Sequence, residues 1–261
     1  MNEVPPPNLI LREFRQEDDT MNDTFHIKGF IPTSFLDWPG TLCSVIFLGG
    51  CGFRCPACHN HKLVLEPRSF PDFPLGEILR SLDARGNWID GITVTGGEPT
   101  IHQTLPDLLR IFRNRKLKIK LDTNGSNPKM LEALINLGLI DAVSMDIKAP
   151  LTSEEYSRAA GVPIDLDLIT RSIDILRCSD LQVTFRTTAI PGLVEEPQLE
   201  RITRALGNVK RYIVQAFRNI DTLNHDFGRV EEFGQGRIER MRELFEIPSS
   251  MPLNGQHALA G

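Results

Sequence analysis

Short apolar runs that alternate with helically spaced apolar residues constrain the fold of this 261-residue chain more than any other feature. The runs are six strand candidates, in the order Thr41–Leu48, Gly91–Thr95, Leu117–Asp122, Asp141–Lys148, Leu181–Thr188 and Lys210–Phe217. Between them, apolar residues recur three and four positions apart, which is typical of one face of a helix, as in Leu105, Leu108, Leu109 and Phe112. Strands separated by helices form βαβ units, so the pattern predicts an α/β fold with a mostly parallel sheet.

Several strand candidates have one apolar and one polar face. In Asp141–Lys148, for example, Ser144, Asp146 and Lys148 alternate with apolar residues, and successive side chains of a strand point to opposite faces. A closed eight-stranded barrel fills its interior with branched apolar side chains. Polar faces on several strands therefore favour an incomplete, wide barrel whose polar lumen could hold a large ligand, with a doubly wound open sheet as the alternative.

The two ends of the chain differ from the part between them. Residues 1–24 contain three successive prolines and several acidic side chains, and residues 247–261 combine Pro, Ser, Gly and Asn without periodicity. Such composition predicts a flexible tail at each end. Residues 25–246 are then expected to form a single domain.

Composition and charge exclude several classes of protein. The 29 basic and 34 acidic residues leave a net charge of −5 without a basic block, which argues against a nucleic-acid partner. No apolar run approaches the roughly 18 residues that span a bilayer, so no membrane association is expected. The N-terminus has neither the basic start nor the apolar core of a signal peptide, which predicts a cytoplasmic location.

Three of the five cysteines lie within eight residues, in the spacing C-x3-C-x2-C, at Cys51, Cys55 and Cys58. An odd count with one tight group does not fit a disulfide framework and indicates a metal or cluster site in a reducing compartment. Three thiolates on one loop can bind three irons of a four-iron cluster and leave the fourth iron open. A structural zinc ion is the alternative, with His59 or His61 as the fourth ligand. The remaining two, Cys43 and Cys178, are expected to be buried small apolar residues.

Polar or glycine residues stand where the other strand candidates end. They are Gly96, Gly97 and Glu98 after the second candidate, then Asp122, Asp146 with Lys148, and Arg186. Taken singly, each has an ordinary explanation, as a βα turn, a helix cap or a solvated ion pair. The carboxyl ends of parallel strands meet at one edge of the sheet, where α/β folds bind their ligands. Together these residues therefore predict one ligand site.

Two of these motifs resemble the main sequence marks of the radical S-adenosylmethionine (SAM) superfamily, namely the C-x3-C-x2-C loop and the turn Gly96-Gly97-Glu98-Pro99. Further motifs are similar to those of the enzymes that activate glycyl radical enzymes: Asp37-Trp38-Pro39-Gly40, Cys58-His59-Asn60, Asp146-Ile147-Lys148, and Arg186 with Pro191-Gly192. Within that group the chain most resembles the activating proteins of anaerobic (class III) ribonucleoside-triphosphate reductases. The resemblance extends over residues 25–220.

The resemblance implies a fold and a set of cofactors. The fold is a partial (β/α)6 barrel, with parallel strands and outer helices, that holds a [4Fe-4S] cluster on Cys51, Cys55 and Cys58. SAM would bind the open iron through its amino and carboxylate groups, with Gly96, Gly97 and Glu98 at the amino end. The residues expected to bind SAM, or a cation beside it, are His59, Gly96, Gly97, Glu98, Asp122, Asp146, Lys148 and Arg186. One departure is Ala57, because the family usually has an aromatic residue near the adenine at this position.

The resemblance also implies a radical reaction on a protein substrate. The reduced cluster passes one electron to SAM, which breaks into methionine and a 5′-deoxyadenosyl radical, and this radical abstracts hydrogen from the Cα of a glycine. The partner would be a glycyl radical enzyme, specifically a class III ribonucleotide reductase, and a flavodoxin- or ferredoxin-type protein would donate the electron. The turn Asp37–Gly40 and Trp88 are candidates for contacting the partner, with an ordinary turn and a packed aromatic residue as the alternative.

Two other functions remain open from the sequence. One is a radical SAM enzyme that acts on a small molecule or a nucleotide precursor. The other is a non-catalytic module that binds zinc or an iron–sulfur cluster.

Overall fold

The computed structural model describes residues 25–248 of the chain. In this part, one sheet contains seven strands in sequential order: β1 (Ile27–Ser34), β2 (Cys43–Leu48), β3 (Gly91–Gly96), β4 (Lys118–Thr123), β5 (Ala142–Asp146), β6 (Gln182–Ala189) and β7 (Tyr212–Ala216). Strands β2 to β7 run parallel to their neighbours, whereas β1 pairs antiparallel with β2. Strands β1 and β7 form the two edges, so the sheet is not closed. The predicted α/β fold with a partial barrel of parallel strands is confirmed.

Helices connect the strands and pack on the outer, apolar face of the sheet. In the described part of the chain they are α1 (His61–Leu65), α2 (Leu75–Arg85), α3 (Leu105–Asn114), α4 (Pro128–Asn136), α5 (Ser153–Ala160), α6 (Leu166–Arg177), α7 (Glu196–Leu206) and α8 (Gln235–Phe245). The apolar stripe of α3 shows how they pack, since the main core buries its residues Leu105, Leu108, Leu109 and Phe112. Each such side chain contributes about 1.5–3 kcal/mol by leaving water. None of the helices within residues 25–248 is long and apolar enough to cross a membrane.

The six predicted strands are present as β2 to β7, and their ends differ from the prediction by at most two residues. Strand β1 was not predicted. It contains Gly29 and Pro32, which are uncommon inside strands. As an edge strand with two register shifts, β1 tolerates a proline that cannot donate to the ladder.

The two faces of the sheet differ in polarity, as predicted. Met145 and Phe185 are fully buried in the core beneath the helices. On the opposite face, Ser144, Gln182 and Thr184 line a cavity inside the curved sheet. The lumen is therefore polar because the alternation of side chains along each strand sends the polar residues to its inner face.

The turn before β2 packs against the amino end of this lumen. Trp38 is 3% exposed, its Nε1 donates to Gln182 Oε1 at 3.2 Å, and its ring packs with Cys43 and Val45. Position 91 is glycine because a Cβ there would lie 2.9 Å from the indole ring. The ring of Trp38 is therefore buried and not available to a partner. Contact of the rest of the turn Asp37–Gly40 with a partner stays a prediction.

Trp88, Cys43 and Cys178 differ in how far they are exposed. Trp88 is 79% exposed, so its contact with a partner stays a prediction. Cys43 is buried as predicted, but Cys178 is exposed. The prediction for Cys178 was wrong because this residue follows the last turn of α6 at the protein surface.

The predicted tails lie outside the described residues, apart from Ile247 and Pro248 at the start of the second one. The backbone of Ile247 pairs with Tyr212 of β7, through two hydrogen bonds of 3.0 Å.

Candidate active site

The carboxyl ends of the parallel strands open on one cavity of about 290 Å³. It is lined by all the residues that the sequence assigned to the cluster or to SAM: Cys51, Cys55, Cys58, His59, Gly96, Gly97, Glu98, Asp122, Asp146, Lys148 and Arg186. Ala57 lines the same cavity. The structure thus brings these residues together, as expected from strand ends that meet at one edge of a parallel sheet. What each of them binds stays a prediction.

The three cysteines lie on residues 49–60, between β2 and α1, which we call the cysteine loop. Arg54 stabilises this loop through hydrogen bonds of its backbone and of its side chain. Its backbone N–H donates to Ala160 O, at the end of α5, over 2.7 Å. Its guanidinium Nη1 donates to the carbonyls of Cys51 and Phe53 at 2.6 and 2.7 Å. The protein itself therefore holds the shape of the loop.

The three thiols are partly buried. Burial raises the pKa of each of them, to about 11 for Cys51, because a thiolate loses hydration there. The ammonium group of Lys148 lowers the pKa at all three positions. The metal-free thiols are therefore protonated at neutral pH and release protons when they bind a metal.

The residues present fit a cluster better than a single zinc ion. Zinc needs four ligands that converge on one point, and within residues 25–248 no group of three or more His, Cys, Asp or Glu side chains is placed to hold one ion. His59 Nε2 lies 2.7 Å from Arg218 O, and His61 Nε2 lies 3.0 Å from Asp221 Oδ1, so both candidate fourth ligands have other partners. In a four-iron cluster each cysteine binds its own iron, which suits three thiols spread along one loop.

Gly96, the last residue of β3, and Gly97, which follows it, let the turn after β3 approach the cysteine loop. We call this segment the β3 turn. A Cβ at position 97 would lie 1.9 Å from Gly50 O, and Gly96 has a φ of +117°. Backbone hydrogen bonds of 2.8 Å join the two segments, from Gly97 N–H to Leu48 O and from Glu98 N–H to Gly50 O. Glycine is required at position 97 for space. At position 96 it is required for both conformation and space, since a Cβ there would lie 2.4 Å from Leu48 O. The β3 turn therefore supports the cysteine loop directly.

The carboxylate of Glu98 is buried beneath this turn, and the residue is 1% exposed. Oε1 accepts hydrogen bonds from Thr100 N at 3.1 Å, Thr100 Oγ1 at 2.6 Å and Thr123 Oγ1 at 2.7 Å, and Oε2 accepts one from Asn124 N at 2.7 Å. Burial raises the pKa of Glu98, and these donors oppose that effect. The carboxylate thus joins β3 to the end of β4. That Glu98 also holds the amino end of SAM stays a prediction.

Five charged side chains form a network across β4, β5 and β6. Arg186 donates from Nε to Asp146 Oδ1 at 2.8 Å and from Nη1 to Asp122 Oδ2 at 3.2 Å. Lys148 donates to Asp146 Oδ2 at 3.0 Å, and Lys120 donates to Asp122. Burial opposes these charges, but their mutual attraction outweighs it. The pKa of Asp146 lies well below its usual range, and the pKa values of Lys148 and Arg186 lie above theirs.

The network has three cations and two carboxylates, so it carries one net positive charge. Four of its members line this cavity, and Lys120 lines the cavity inside the curved sheet. A ligand carboxylate would balance this charge through charge-assisted hydrogen bonds.

Two residues of the site were not predicted from the sequence. Lys120 lies two positions before Asp122 on the same face of β4, and this spacing was the available signal. Asn124 donates from Nδ2 to Cys51 Sγ at 3.5 Å, across 73 positions of the chain. No pattern in the sequence indicates a contact of that kind.

Residues 217–224, which follow β7, lie over part of the cysteine loop, and we call them the cover segment. Leu223 N–H donates to Cys58 O at 3.2 Å, and Asn224 N–H donates to Pro56 O at 2.9 Å. The cysteine loop is therefore held from both sides, by the β3 turn and by the cover segment.

Comparison with known proteins identifies the family. The pattern of the radical SAM superfamily matches residues 45–204. A protein of Methanocaldococcus jannaschii assigned as a glycyl-radical enzyme activating enzyme is 31% identical over 225 residues, which cover 85% of this chain and 90% of the relative. The anaerobic ribonucleoside-triphosphate reductase-activating protein of Escherichia coli (strain K12) is 25% identical over 134 residues, which cover 46% of this chain and 86% of that protein.

Among solved structures, TYW1 with a lysine-pyruvate adduct bound has a TM-score of 0.58 at 17% identity, over 93% of this chain and 90% of that chain. At this identity the likeness shows the fold alone. The family match covers more than half of the chain, and the Methanocaldococcus relative matches it over most of its length. This chain therefore belongs to the radical SAM superfamily, within the family of glycyl-radical enzyme activating enzymes, whose members use a [4Fe-4S] cluster and SAM.

Proposed function

We propose that this enzyme generates a glycyl radical on a partner glycyl radical enzyme, and that the partner is an anaerobic (class III) ribonucleotide reductase. The proposal rests on one observation, that a single cavity combines the three cysteines with the charged network. Similarity to a glycyl-radical enzyme activating enzyme over most of the chain supports the reaction. Similarity to a reductase-activating protein supports the choice of partner.

The cysteine loop is the part of the site that binds the cluster in this proposal. Cys51, Cys55 and Cys58 bind three irons and leave one iron for SAM. When bound, the cluster and SAM together supply the one-electron cleavage of a carbon–sulfur bond. Because this chemistry consumes an electron, we include a flavodoxin- or ferredoxin-type protein as the donor.

The other site residues bind or orient SAM. The excess positive charge of the network binds the carboxylate of SAM without leaving a buried charge unpaired. Gly96 and Gly97 bring backbone groups close to the cysteine loop, where they can meet the amino group of SAM. Glu98 supports this turn from beneath, and His59 lies at the rim of the cavity.

A glycine of a folded partner reacts only if a segment of its chain enters the lumen. A second cavity of about 180 Å³ adjoins the first, and Asp122 and Arg186 line both. Other residues that line the second cavity are Ser144, Gln182, Thr184 and Gln215. Their hydroxyl and carboxamide groups can pair with the N–H and C=O groups of an extended peptide. The lumen also separates the reacting atoms from bulk water.

The test is an anaerobic activation assay. The enzyme is reconstituted with iron and sulfide, reduced, and mixed with SAM and a class III reductase, and a protein glycyl radical is sought by EPR. We expect a radical signal that depends on SAM and is abolished in the variant Cys55→Ala. The matched control is Cys178→Ala, an exposed cysteine outside the cavity, which should keep the signal.

Two outcomes would contradict the proposal in different ways. Release of 5′-deoxyadenosine with no radical on the reductase would refute the partner and favour a small-molecule substrate. No release of 5′-deoxyadenosine from enzyme that carries its full iron content would refute the radical reaction itself.

A further inference from the structure

Asn124 presents its side-chain amide to the sulfur of Cys51. Its Nδ2 lies 3.5 Å from Cys51 Sγ, and the backbone N of Phe53 lies 3.3 Å from the same sulfur. Asn124 is 6% exposed and lines the same cavity as Cys51. The residue stands at the first position after β4, at the edge of the sheet that faces the cysteine loop.

The protein fixes the orientation of this amide. Asn124 Oδ1 accepts a hydrogen bond from Ser126 N–H at 2.9 Å. The oxygen must therefore face Ser126, which leaves the NH2 group towards Cys51. The backbone N–H of Asn124 is held in turn by the buried carboxylate of Glu98 at 2.7 Å. Rotation of the amide would break the bond to Ser126, so the donor towards Cys51 is built into the fold.

We propose that Asn124 donates a hydrogen bond to the Cys51 sulfur in the cluster-loaded enzyme and thereby raises the reduction potential of the cluster. A hydrogen bond to a cluster sulfur stabilises the more negative, reduced state, so the cluster becomes easier to reduce. Asn124 is a positioning residue because it acts through Cys51. The inference concerns the cluster and is independent of which partner the enzyme activates.

An EPR-monitored redox titration of the full-length reconstituted enzyme, without SAM, tests this proposal. The variant Asn124→Asp keeps the acceptor for Ser126 N–H and removes the donor. The variant Asn124→Leu removes the donor without adding a charge. In both, we expect the ratio of reduced to oxidised cluster at a given applied potential to fall about tenfold, which corresponds to about 59 mV for a one-electron couple.

The matched control is Asn127→Asp, on the same turn. Asn127 Oδ1 accepts from Met130 N at 3.2 Å and Nδ2 donates to Thr100 O at 2.7 Å, so its amide serves atoms outside the cysteine loop. This variant adds the same charge nearby and should titrate close to the wild type. The proposal is overturned if fully loaded Asn124 variants titrate like the control. It is also overturned if both lose the cluster while the control retains it, because Asn124 would then support the loop without tuning the potential.

Discussion

Space requires glycine at one position around the cysteine loop but not at another. At position 97 space requires it, because a Cβ would lie 1.9 Å from the carbonyl oxygen of Gly50. That atom belongs to the backbone and cannot move without shifting the loop. At position 52, inside the loop, nothing lies within 4 Å of an added Cβ. The tight point of the site is therefore the contact between the β3 turn and the loop.

We expect Gly97→Ala to displace the cysteine loop. Forcing a methyl group into this contact should lower the free energy of unfolding by about 3 kcal/mol and reduce the iron bound after reconstitution. Urea denaturation of the metal-free protein and iron analysis measure the two effects. Gly52→Ala is the control in the same loop and should change stability by less than about 0.5 kcal/mol. Equal iron binding by both variants would show that the β3 turn does not support the loop.

Residues at strand ends could be predicted from the sequence, because the topology alone brings them together. Asp122, Asp146 and Arg186 each occupy the polar face near the end of a strand, and parallel pairing aligns those ends. The contact between Asn124 and Cys51 could not be predicted. It joins distant positions through a side chain whose orientation depends on hydrogen bonds that only the folded turn provides.

At the scale of elements, one carboxylate anchors the cover segment to α1. Asp221 Oδ2 accepts a hydrogen bond from Lys62 Nζ at 2.7 Å, and Oδ1 lies 3.0 Å from His61 Nε2. Hydrogen bonds from Lys62 and His61 hold the pKa of Asp221 below its usual range. The carboxylate is therefore ionised at neutral pH, and the anchor is present there and lost as acid protonates Asp221.

Removal of this anchor in Asp221→Ala should loosen the cover segment over the cysteine loop. The amides of Leu223 and Asn224 donate to carbonyls of that loop, so their hydrogen exchange reports the change. We expect both to exchange about two- to fivefold faster at pH 7, the scale of an exposed ion pair. Asp226→Ala, in the exposed turn that follows, should leave both rates unchanged. Unchanged rates in Asp221→Ala would mean that the backbone bonds alone hold the segment.

The strands differ in how well the sequence predicts them. Strands β2 to β7 are apolar runs separated by helical patterns, and the sequence is sufficient to locate them. Strand β1 joins β2 without a helix between them, and Gly29 and Pro32 interrupt its pattern. Its place in the sheet depends on pairing with β2 and on the tolerance of an edge position for proline.

At the scale of the whole molecule, the lumen is a polar space with a small apolar cluster at its amino end. The polar strand faces predict such a lumen, but they do not predict this cluster. It consists of Trp38, Cys43, Val45 and Ala142 and is separate from the main core between sheet and helices. Trp38 lies in a turn, where no periodicity signals burial, so the cluster could be found only in the structure.

The apolar cluster predicts a large difference between the two tryptophans of the chain. Trp38→Ala should lower the free energy of unfolding by about 3–5 kcal/mol, because it leaves a cavity and removes the partner of Gln182. Trp88→Ala removes an exposed ring and should cost less than about 0.5 kcal/mol. Urea denaturation followed by circular dichroism measures both.

Fluorescence gives an independent test of this burial, since Trp38 is the remaining tryptophan in Trp88→Phe. A ring buried in an apolar cluster should emit at short wavelength and be quenched weakly by acrylamide in the folded protein. Both properties should change at the urea concentration at which circular dichroism reports unfolding, because the ring is exposed only when the sheet opens. Red-shifted, strongly quenched emission from the folded variant would show that water reaches Trp38 and that the apolar cluster does not bury the ring.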